Sequence, residues 1–528
     1  MNPILLEIFK HRFAAVAEEM GVTLKRTAYS SNIKERRDFS CAIFDKDRQM
    51  VAQAAHIPVH LGSMPLSVAS AVQSIEMEEG DMVMLNDPFS GGTHLPDITL
   101  VAPVFINDRP EFYVANRAHH ADIGGMSPGS MPMSREIFAE GLIIPPVKIV
   151  KYGKTDDAIM NMILKNVRTP DERKGDFSAQ IMANIIGIRG IGELVDANSM
   201  ETVGQYAKHL IDYSERLTRK EIAAIPDGVY GFSDFMDDDG RGAVDIPIKV
   251  TITISGETAQ IDFSGTGSQV DGCINAVYAV TLSCVLYVIR SLIAQDIPAN
   301  AGCLRPITVK TSPGTLVDAR FPAAVAAGNV ETAQRIVDVL YGALARALPE
   351  RIPAASQGTM NNLTIGGLDR NTGAAFTYYE TMGGGMGAGP GHDGESAVHS
   401  HMTNTLNTPV EALEFAYPMM VNKYEIRTGS GGNGRFAGGD GIVREITLLS
   451  DAEVTVLSER RRHGPYGLNG GEPGACGKNS IIQSGKGLKR PGKFNEHLRA
   501  GDILRIETPG GGGYGKLSDT DGTDSTTN

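Results

Sequence analysis

The sequence has few cysteines, no long apolar run and no sizeable basic cluster. Its five cysteines, Cys41, Cys273, Cys284, Cys303 and Cys476, form no CxxC pair, so neither a zinc ribbon nor a disulfide framework is expected. That pattern predicts a reducing, cytoplasmic location. No run of about 18 apolar residues occurs, which argues against a membrane-spanning helix. The opening MNPILLEIFKHRF is interrupted by charges, so we expect no signal peptide.

The balance of charge argues against nucleic acid as a partner. The net charge is −13, and the densest basic stretch is only Arg460, Arg461, Arg462 and His463. The chain has 528 residues, of which 41% are hydrophobic and 21% charged, the composition of an ordinary globular protein. This length predicts several packing units rather than one domain.

The hydrophobic periodicity predicts a mixed α/β (α+β), multi-domain fold. We expect five regions: an α/β region with a metal-site hairpin (1–155), a helical region (156–225), a β-hairpin with helices (226–350), a glycine-rich region containing β-strands (351–516) and a disordered tail (517–528). Helices are predicted at 3–20, 65–75, 276–294 and 330–347, and within 156–225, where Pro170 and glycines 187, 190 and 192 punctuate the pattern. Strands are predicted at 38–45, 50–54, 81–85, 98–106, 112–115, 248–254, 258–263, 441–449 and 452–457.

The stretch from Asn86 to Gly125 concentrates groups that bind divalent metals. His94 and Asp97 lie in a glycine-rich loop before one apolar run, and His119, His120 and Asp122 follow the next. If these runs pair as a hairpin, the start of the first strand lies beside the end of the second. His94, Asp97 and His119 would then meet, and such ligands suit zinc, manganese or iron. The polar side chains of an isolated HxxD motif more often form hydrogen bonds with the backbone of their loop. The additional cluster at His119 to Asp122 makes a metal site the favoured interpretation.

Two glycine-rich motifs are interpreted as structural. Gly510 to Lys516 spells GxxxxGK, but Leu517 stands where a phosphate-binding loop needs Ser or Thr, so a turn is predicted. The run from Gly383 to Gly391 has enough backbone N–H groups to hold an anion, although no phosphate-binding lysine follows it, and a structural turn is favoured.

The remaining histidines give weaker signals. His56 and His60 flank Pro58, which prevents a shared helical face, so both are interpreted as ordinary pocket or core histidines. A later cluster is equally compatible with a cleft and with the surface; it comprises His392, Asp393, Glu395, His399 and His401.

Several long blocks, in order, resemble the hydantoinase B/oxoprolinase family, which includes the B subunits of N-methylhydantoinase and caprolactamase and, more distantly, the α subunit of acetone carboxylase. The blocks are ERRDFSCAIFD, HIPVHLGSMP, NDPFSGGTHLPD, RAHHADIGG, DFSGTGSQ, HMTNTLNTPVEALE, SGGNGRFAGGDG and TPGGGGYG. The resemblance implies a catalytic divalent metal held by His94, Asp97, His119 and Asp38. His120 and Asp122 are adjacent, and we expect one of them to orient a ligand or relay a proton.

The resemblance also implies a division of labour between two chains. A partner A-type subunit would bind ATP and phosphorylate the carbonyl oxygen, and this chain would complete hydrolysis of a hydantoin, 5-oxoproline or lactam at the metal. A hetero-oligomer of α2β2 type is expected. The alternative from another class is an ATP-dependent ketone carboxylase of the acetone or acetophenone type. A third, a non-catalytic scaffold for the A subunit, accounts poorly for the ligand cluster.

Overall fold

The computed structural model describes residues 2–54 and 57–517, and confirms the mixed α/β, multi-domain fold class. His56 and residues 518–528 of the predicted tail lie outside the described residues. The elements of the first 155 residues are α1 (Pro3–Thr27), α2 (Ser31–Lys34), β1 (Phe39–Asp45), β2 (Met50–Gln53), α3 (Met64–Ser74), β3 (Met82–Leu85), β4 (Asp97–Ile106), β5 (Arg109–His119), β6 (Val147–Lys151) and β7 (Lys154–Thr155).

These seven strands form one antiparallel sheet, in the order β2-β1-β5-β4-β3-β6-β7. Successive side chains of a strand point to opposite faces, so each face has its own apolar cluster. Leu100 and Val114 pack with α1 on one face, whereas Val101 and Ala115 pack with α3 on the other. The hairpin of β4 and β5 is longer than predicted, and its two strands occupy the centre of the sheet.

The helical region contains α4 (Asp157–Leu164), α5 (Pro170–Asn198) and α6 (Met200–Ala223). Pro170 opens α5, as predicted, but the three glycines do not interrupt the helix. Gly187 and Gly190 instead permit close packing on α1, because a Cβ at either position would press on Met20 or Val16. Gly187 and Gly190 therefore serve helix packing rather than helix termination.

The third region contains β8 (Gly228–Asp238), β9 (Val244–Ser255), β10 (Thr258–Asp262), α7 (Tyr278–Ser291), β11 (Ile307–Lys310) and α8 (Ala333–Leu344). Its sheet has the order β11-β10-β9-β8, with β10 and β11 parallel. The predicted hairpin and both predicted helices are present. The long β8 was not predicted, because its glycines and aspartates obscure the period-two pattern.

The last region contains β12 (Asn362–Leu368), β13 (Ala375–Glu380), α9 (Val410–Ala416), β14 (Met419–Arg427), β15 (Gly441–Leu448), β16 (Ala452–Leu457), β17 (Lys478–Gln483), β18 (Lys486–Arg490), β19 (Lys493–Leu498) and β20 (Ile503–Glu507). Two antiparallel sheets result, β13-β12-β16-β19 and β14-β15-β20-β17-β18. Both predicted strands exist, although β15 and β16 belong to different sheets.

Four glycine-rich segments, 383–391, 430–441, 464–474 and 508–515, pack backbone against backbone and form what we call the glycine block. Gly439 donates to the carbonyl of Met386 at 2.8 Å, and Gly511 donates to that of Gly439 at 2.9 Å. The predicted turns are corrected in part: a turn is present only at Pro390–Gly391, and the rest of Gly383–Gly391 and Gly510–Lys516 is irregular backbone packed within this block. In the first run, Gly385 and Ala388 donate to the carbonyls of Pro509 and Gly512, and Gly387 donates to the Ser356 hydroxyl, so these N–H groups are not available to an anion.

The largest apolar cluster runs from Leu6 to Leu457 and joins the first three predicted regions with part of the fourth, while a separate cluster lies between the two C-terminal sheets. The five-region division stays a prediction. Among the described residues, none of the helices is both long and apolar enough to cross a bilayer.

Candidate metal centre

Three adjacent strands bring Asp38, His119 and Asp97 side by side. Asp97 and His119 are direct partners at the adjoining ends of β4 and β5. On the other side of β5, the backbone N–H of His119 donates to the carbonyl of Asp38 at 3.0 Å, just before β1. Directly opposed residues share a face in an antiparallel pair. The hairpin register is thus the physical reason that these side chains converge.

His94 completes a buried triangle from the loop before β4. Its Nε2 lies 3.2 Å from Nδ1 of His119 and 3.3 Å from Oδ1 of Asp97, and those two atoms are 3.3 Å apart. All three residues are buried. The predicted convergence is confirmed by these distances. Within residues 2–54 and 57–517, this is the one group of His, Cys, Asp and Glu side chains close enough to share an ion.

The donor set of the triangle fits a divalent metal. Nδ1 of His94 lies 3.0 Å from the carbonyl oxygen of Ala326, which can only accept, so Nδ1 carries the proton and Nε2 presents its lone pair to the triangle. Buried acceptors that face one another need a cation. A separation of 3.2–3.3 Å also matches neighbouring ligands of a tetrahedral site with bonds of about 2.0–2.1 Å. Zinc, manganese and iron all accept such ligands.

The second oxygen of Asp97 accepts hydrogen bonds from two side chains and lies close to a third. Asn329 donates to Oδ2 at 3.2 Å, Thr93 donates to it through a short hydrogen bond, and Nε2 of His60 lies 3.4 Å away. Nδ1 of His60 lies 2.9 Å from the Ser40 hydroxyl. His60 is therefore a pocket histidine, as predicted, but one aimed at the candidate ligand. Its HIPVHLG block was the available signal, whereas Asn329 lies in a segment without any motif.

The electrostatics of the site favour an ionised Asp97. Burial by itself raises the pKa of Asp97, but the imidazoles of His94, His119 and His60 outweigh it and hold that pKa well below its usual range. For His94, the lowering effect of burial is likewise exceeded by Asp97, and the pKa is raised. Burial dominates at His119 and lowers its pKa. The triangle thus contains a carboxylate beside an imidazole that favours its neutral, metal-binding form.

A small inner cavity of about 20 Å³ adjoins the triangle, enough for about one water molecule. Asp38, His60, Asp97, His119 and Asn329 line it together with residues from the C-terminal half, Met360, Tyr379, Thr381, Met402, Thr403 and Thr405. The Tyr379 ring stacks on His119 with centroids 4.4 Å apart. Both halves of the chain therefore build the site. Asp38 lines the cavity but is not among the three residues close enough to share an ion, so its predicted role as a metal ligand stays a prediction.

His120 and Asp122 lie outside that lining. Because neighbouring strand residues alternate faces, His120 turns toward α5, where Nε2 lies 2.9 Å from Oε1 of Gln180 and the ring stacks on Phe177. Burial, reinforced by Arg173, lowers the pKa of His120 to about 4. Asp122 is paired with Arg168 at 2.8 Å. The structure brings neither side chain to the triangle, and their predicted catalytic roles stay predictions.

The later histidine cluster divides between surface and interior. His392, Asp393 and Glu395 are exposed, whereas His399 and His401 are half-buried. Nδ1 of His401 lies 3.4 Å from the Tyr287 hydroxyl. Burial lowers the pKa of His399 to about 4. None of the five residues lines the inner cavity.

Comparison with known proteins decides the family. The Hydantoinase B/oxoprolinase family model matches residues 2–517. The chain belongs to this family. It is 41% identical to the 5-oxoprolinase of Dictyostelium discoideum over 98% of this chain, but spans only 40% of that relative's length.

Two solved structures share the fold of this family member. The ATP-dependent caprolactamase from Pseudomonas jessenii superposes with a TM-score of 0.91 at 28% identity, covering 98% of this chain and 91% of the other. An acetone carboxylase structure has a TM-score of 0.89 at 18% identity, covering 97% of this chain and 76% of the other. The second likeness concerns the fold alone.

Proposed function

We propose that this chain is the B-type component of an ATP-dependent hydrolase that opens a cyclic amide, namely a hydantoin, 5-oxoproline or another lactam. The observation that carries this proposal is the buried triangle of His94, Asp97 and His119 in a member of the hydantoinase B/oxoprolinase family. Relatives of the chain are named 5-oxoprolinase and ATP-dependent caprolactamase, and both names describe opening of a cyclic amide.

His94, Asp97 and His119 would hold the divalent metal, with Asp38 at the adjoining wall of the inner cavity. When bound, such a metal lowers the pKa of a water molecule and stabilises negative charge on a carbonyl oxygen. The amide of a lactam is a poor electrophile, and prior phosphorylation of its oxygen supplies a leaving group. Manganese, zinc and iron all suit this donor set.

The surrounding side chains would position the ligands rather than react. The carbonyl of Ala326 fixes the His94 tautomer, and Asn329 fixes the rotation of the Asp97 carboxylate. Tyr379 limits the tilt of the His119 ring. Burial of the triangle excludes bulk water, which strengthens each of these interactions.

ATP would be bound by an A-type partner subunit in a hetero-oligomer. Chain length supports this proposal, because this chain spans 91% of the ATP-dependent caprolactamase chain but only 40% of the Dictyostelium 5-oxoprolinase. The longer protein thus has room for a second activity on one polypeptide. The ketone carboxylase alternative has less support, because at 18% identity the acetone carboxylase likeness extends to the fold alone.

Metal analysis with activity assays tests the proposal. Wild-type chain is expected to retain about one ion per chain, and His94→Ala and His119→Ala to retain less than about a tenth of that. His497→Ala, at an exposed histidine outside the cavity, is the matched control. With an A-type partner and ATP, the wild type and the control should hydrolyse a cyclic amide, while the two ligand variants should not.

Two results would contradict the proposal. Unchanged metal content and rates in His94→Ala and His119→Ala would remove the metal centre. Bicarbonate-dependent ATP turnover on a ketone, without hydrolysis of any cyclic amide, would assign the chain to the carboxylases instead.

A further inference from the structure

Strand β14 forms one edge of the C-terminal sheet β14-β15-β20-β17-β18. Among the described residues it has a neighbouring strand on one side only, which leaves its other side without a strand partner. The strand is nine residues long, and a single irregularity between Val421 and Lys423 interrupts its register with β15. From Lys423 to Arg427 the pairing with β15 is regular, so this segment is a template for a further strand.

The exposed side chains of β14 are largely apolar. Tyr424 is 45% exposed and Ile426 is 53% exposed, and Phe415, on the preceding helix α9, is 95% exposed. Exposed apolar patches mark interaction surfaces. The opposite edge of the same sheet, β18, is instead basic, with Lys486, Lys489 and Arg490. Basic side chains protect an edge strand from pairing, so of these two edges β14 has the character of an interface.

Two opposite charges on β14 indicate which strand fits it. Lys423 and Glu425 are two residues apart on one face, with Nζ and Oε1 3.5 Å apart and side chains that are 44% and 55% exposed. In an antiparallel pair with a second β14 about a two-fold axis at Tyr424, Lys423 of each copy lies opposite Glu425 of the other. An axis at Lys423 or at Glu425 would oppose like charges, and a slip of one residue would leave both charges opposite uncharged side chains. The register about Tyr424 is therefore the one that pairs both charges.

We propose that β14 pairs antiparallel with β14 of a second copy of this chain, about a two-fold axis at Tyr424. The five-stranded sheets of the two copies then form one continuous sheet. At the axis the two Tyr424 rings face one another, and a cross-strand aromatic pair favours the contact. The two charges make the edge selective, because a strand without matching charges leaves Lys423 and Glu425 unpaired. This contact joins two copies of the chain and is independent of the proposed reaction.

Sedimentation equilibrium of the full chain tests the pairing by charge reversal. The wild type should form a reversible dimer at about micromolar concentrations, as is usual for a small interface. Lys423→Glu should weaken the dimer by about tenfold or more, because both symmetric charge pairs become repulsive. The combined variant Lys423→Glu/Glu425→Lys should return to within about threefold of the wild-type affinity, because the pairs are restored with their signs exchanged. Lys486→Glu, the same change on β18, should leave the affinity unchanged.

A cysteine at the axis tests the register directly. Directly opposed Cα atoms of an antiparallel pair lie about 4.5–5.5 Å apart, a separation that a disulfide can span. Mild oxidation of Tyr424→Cys should therefore link two chains covalently. The wild type and Leu488→Cys, at an exposed position of β18, should stay unlinked under the same conditions.

Thermal melting of each variant shows whether its fold is intact, and the disulfide test does not depend on the charge variants. A wild type that stays monomeric at about 100 µM, including one whose β14 pairs with a different protein, would overturn the inference. So would a dimer that Lys423→Glu leaves unchanged, or a combined variant that does not recover. A dimer in which Tyr424→Cys forms no link would place the contact elsewhere on the surface and would equally contradict the proposed pairing.

Discussion

Asp97 is the residue toward which the other polar groups of the metal centre are directed. One of its oxygens faces His94 and His119, and the other accepts from Asn329 at 3.2 Å. Loss of a partner that orients a ligand typically weakens metal affinity by about 10–100-fold. We therefore expect Asn329→Leu to weaken metal affinity within that range, measured by competition with a chelator. An exposed control, Asn422→Leu, should leave the affinity unchanged. Equal affinities in both variants would contradict the role of Asn329.

Glu140, which lies outside the triangle, should make the stability of the protein depend on pH. Its Oε1 accepts from the backbone N–H groups of Val325 and Ala326, whereas Oε2 is buried and has no partner in the described structure. Burial raises the pKa of Glu140 to about 7. The folded state therefore holds this proton more tightly than the unfolded chain does.

The sign of the pH effect follows from that difference. The contribution of Glu140 to stability is fully present below its unfolded pKa of about 4.5 and is lost as the pH rises through about 7. The loss amounts to roughly 3 kcal/mol at most, at 1.36 kcal/mol per pKa unit. Glu140→Gln of the metal-free chain should thus show a smaller fall in Tm between pH 5 and pH 8 than wild type. An equal fall in both proteins would show that Glu140 does not titrate in this range.

The site residues that could be predicted from the sequence are brought together locally, whereas Asn329, which could not, is brought in by long-range packing. His94, Asp97 and His119 were predictable because a hairpin converts a separation of 25 residues into direct contact, and alternating apolar residues mark a hairpin. Asn329 is 232 residues from Asp97 and enters from another region. Its position depends on packing between elements, which no local pattern specifies.

At the scale of elements, α5 shows why a glycine signal is ambiguous. Gly187 faces Met20 of α1, where an added Cβ would meet its sulfur, whereas Gly192 of the same helix has open space around it. Glycine weakens a helix by about 1 kcal/mol relative to alanine, so only packing explains the first position. The sequence alone cannot distinguish the two glycines, because the contact with α1 is between residues far apart in the chain.

The two glycines make a matched pair of substitutions. Gly192→Ala should raise the free energy of unfolding by about 0.5–1 kcal/mol through helix propensity. Gly187→Ala should lower it by about 1–3 kcal/mol, because overpacking against α1 exceeds that gain. Urea denaturation of both variants measures the difference. A stabilised Gly187→Ala protein would show that α1 and α5 can separate at little cost.

At the scale of the whole molecule, the positions of the strands in the sequence could be predicted better than which strands pair with each other. Alternating apolar residues identified β15 and β16, yet these neighbours in sequence pair in different sheets. Each of them has one partner more than 40 residues away, since β16 pairs with β12 and β15 pairs with β20. The inner cavity has the same origin, since Tyr379 and Met402 reach it from the C-terminal half.

The glycine block links the segments between those sheets, and its stability should depend on the absence of side chains. A Cβ at Gly511 would overlap the backbone of Met386, which cannot move as a side chain does. We expect Gly511→Ala to destabilise the protein by about 3 kcal/mol or more, or to prevent soluble expression. Gly487→Ala, in β18 with open space around it, should melt within about 1 °C of wild type because surface changes are nearly neutral. Equal melting temperatures for the two variants would show that the four segments are not packed backbone to backbone.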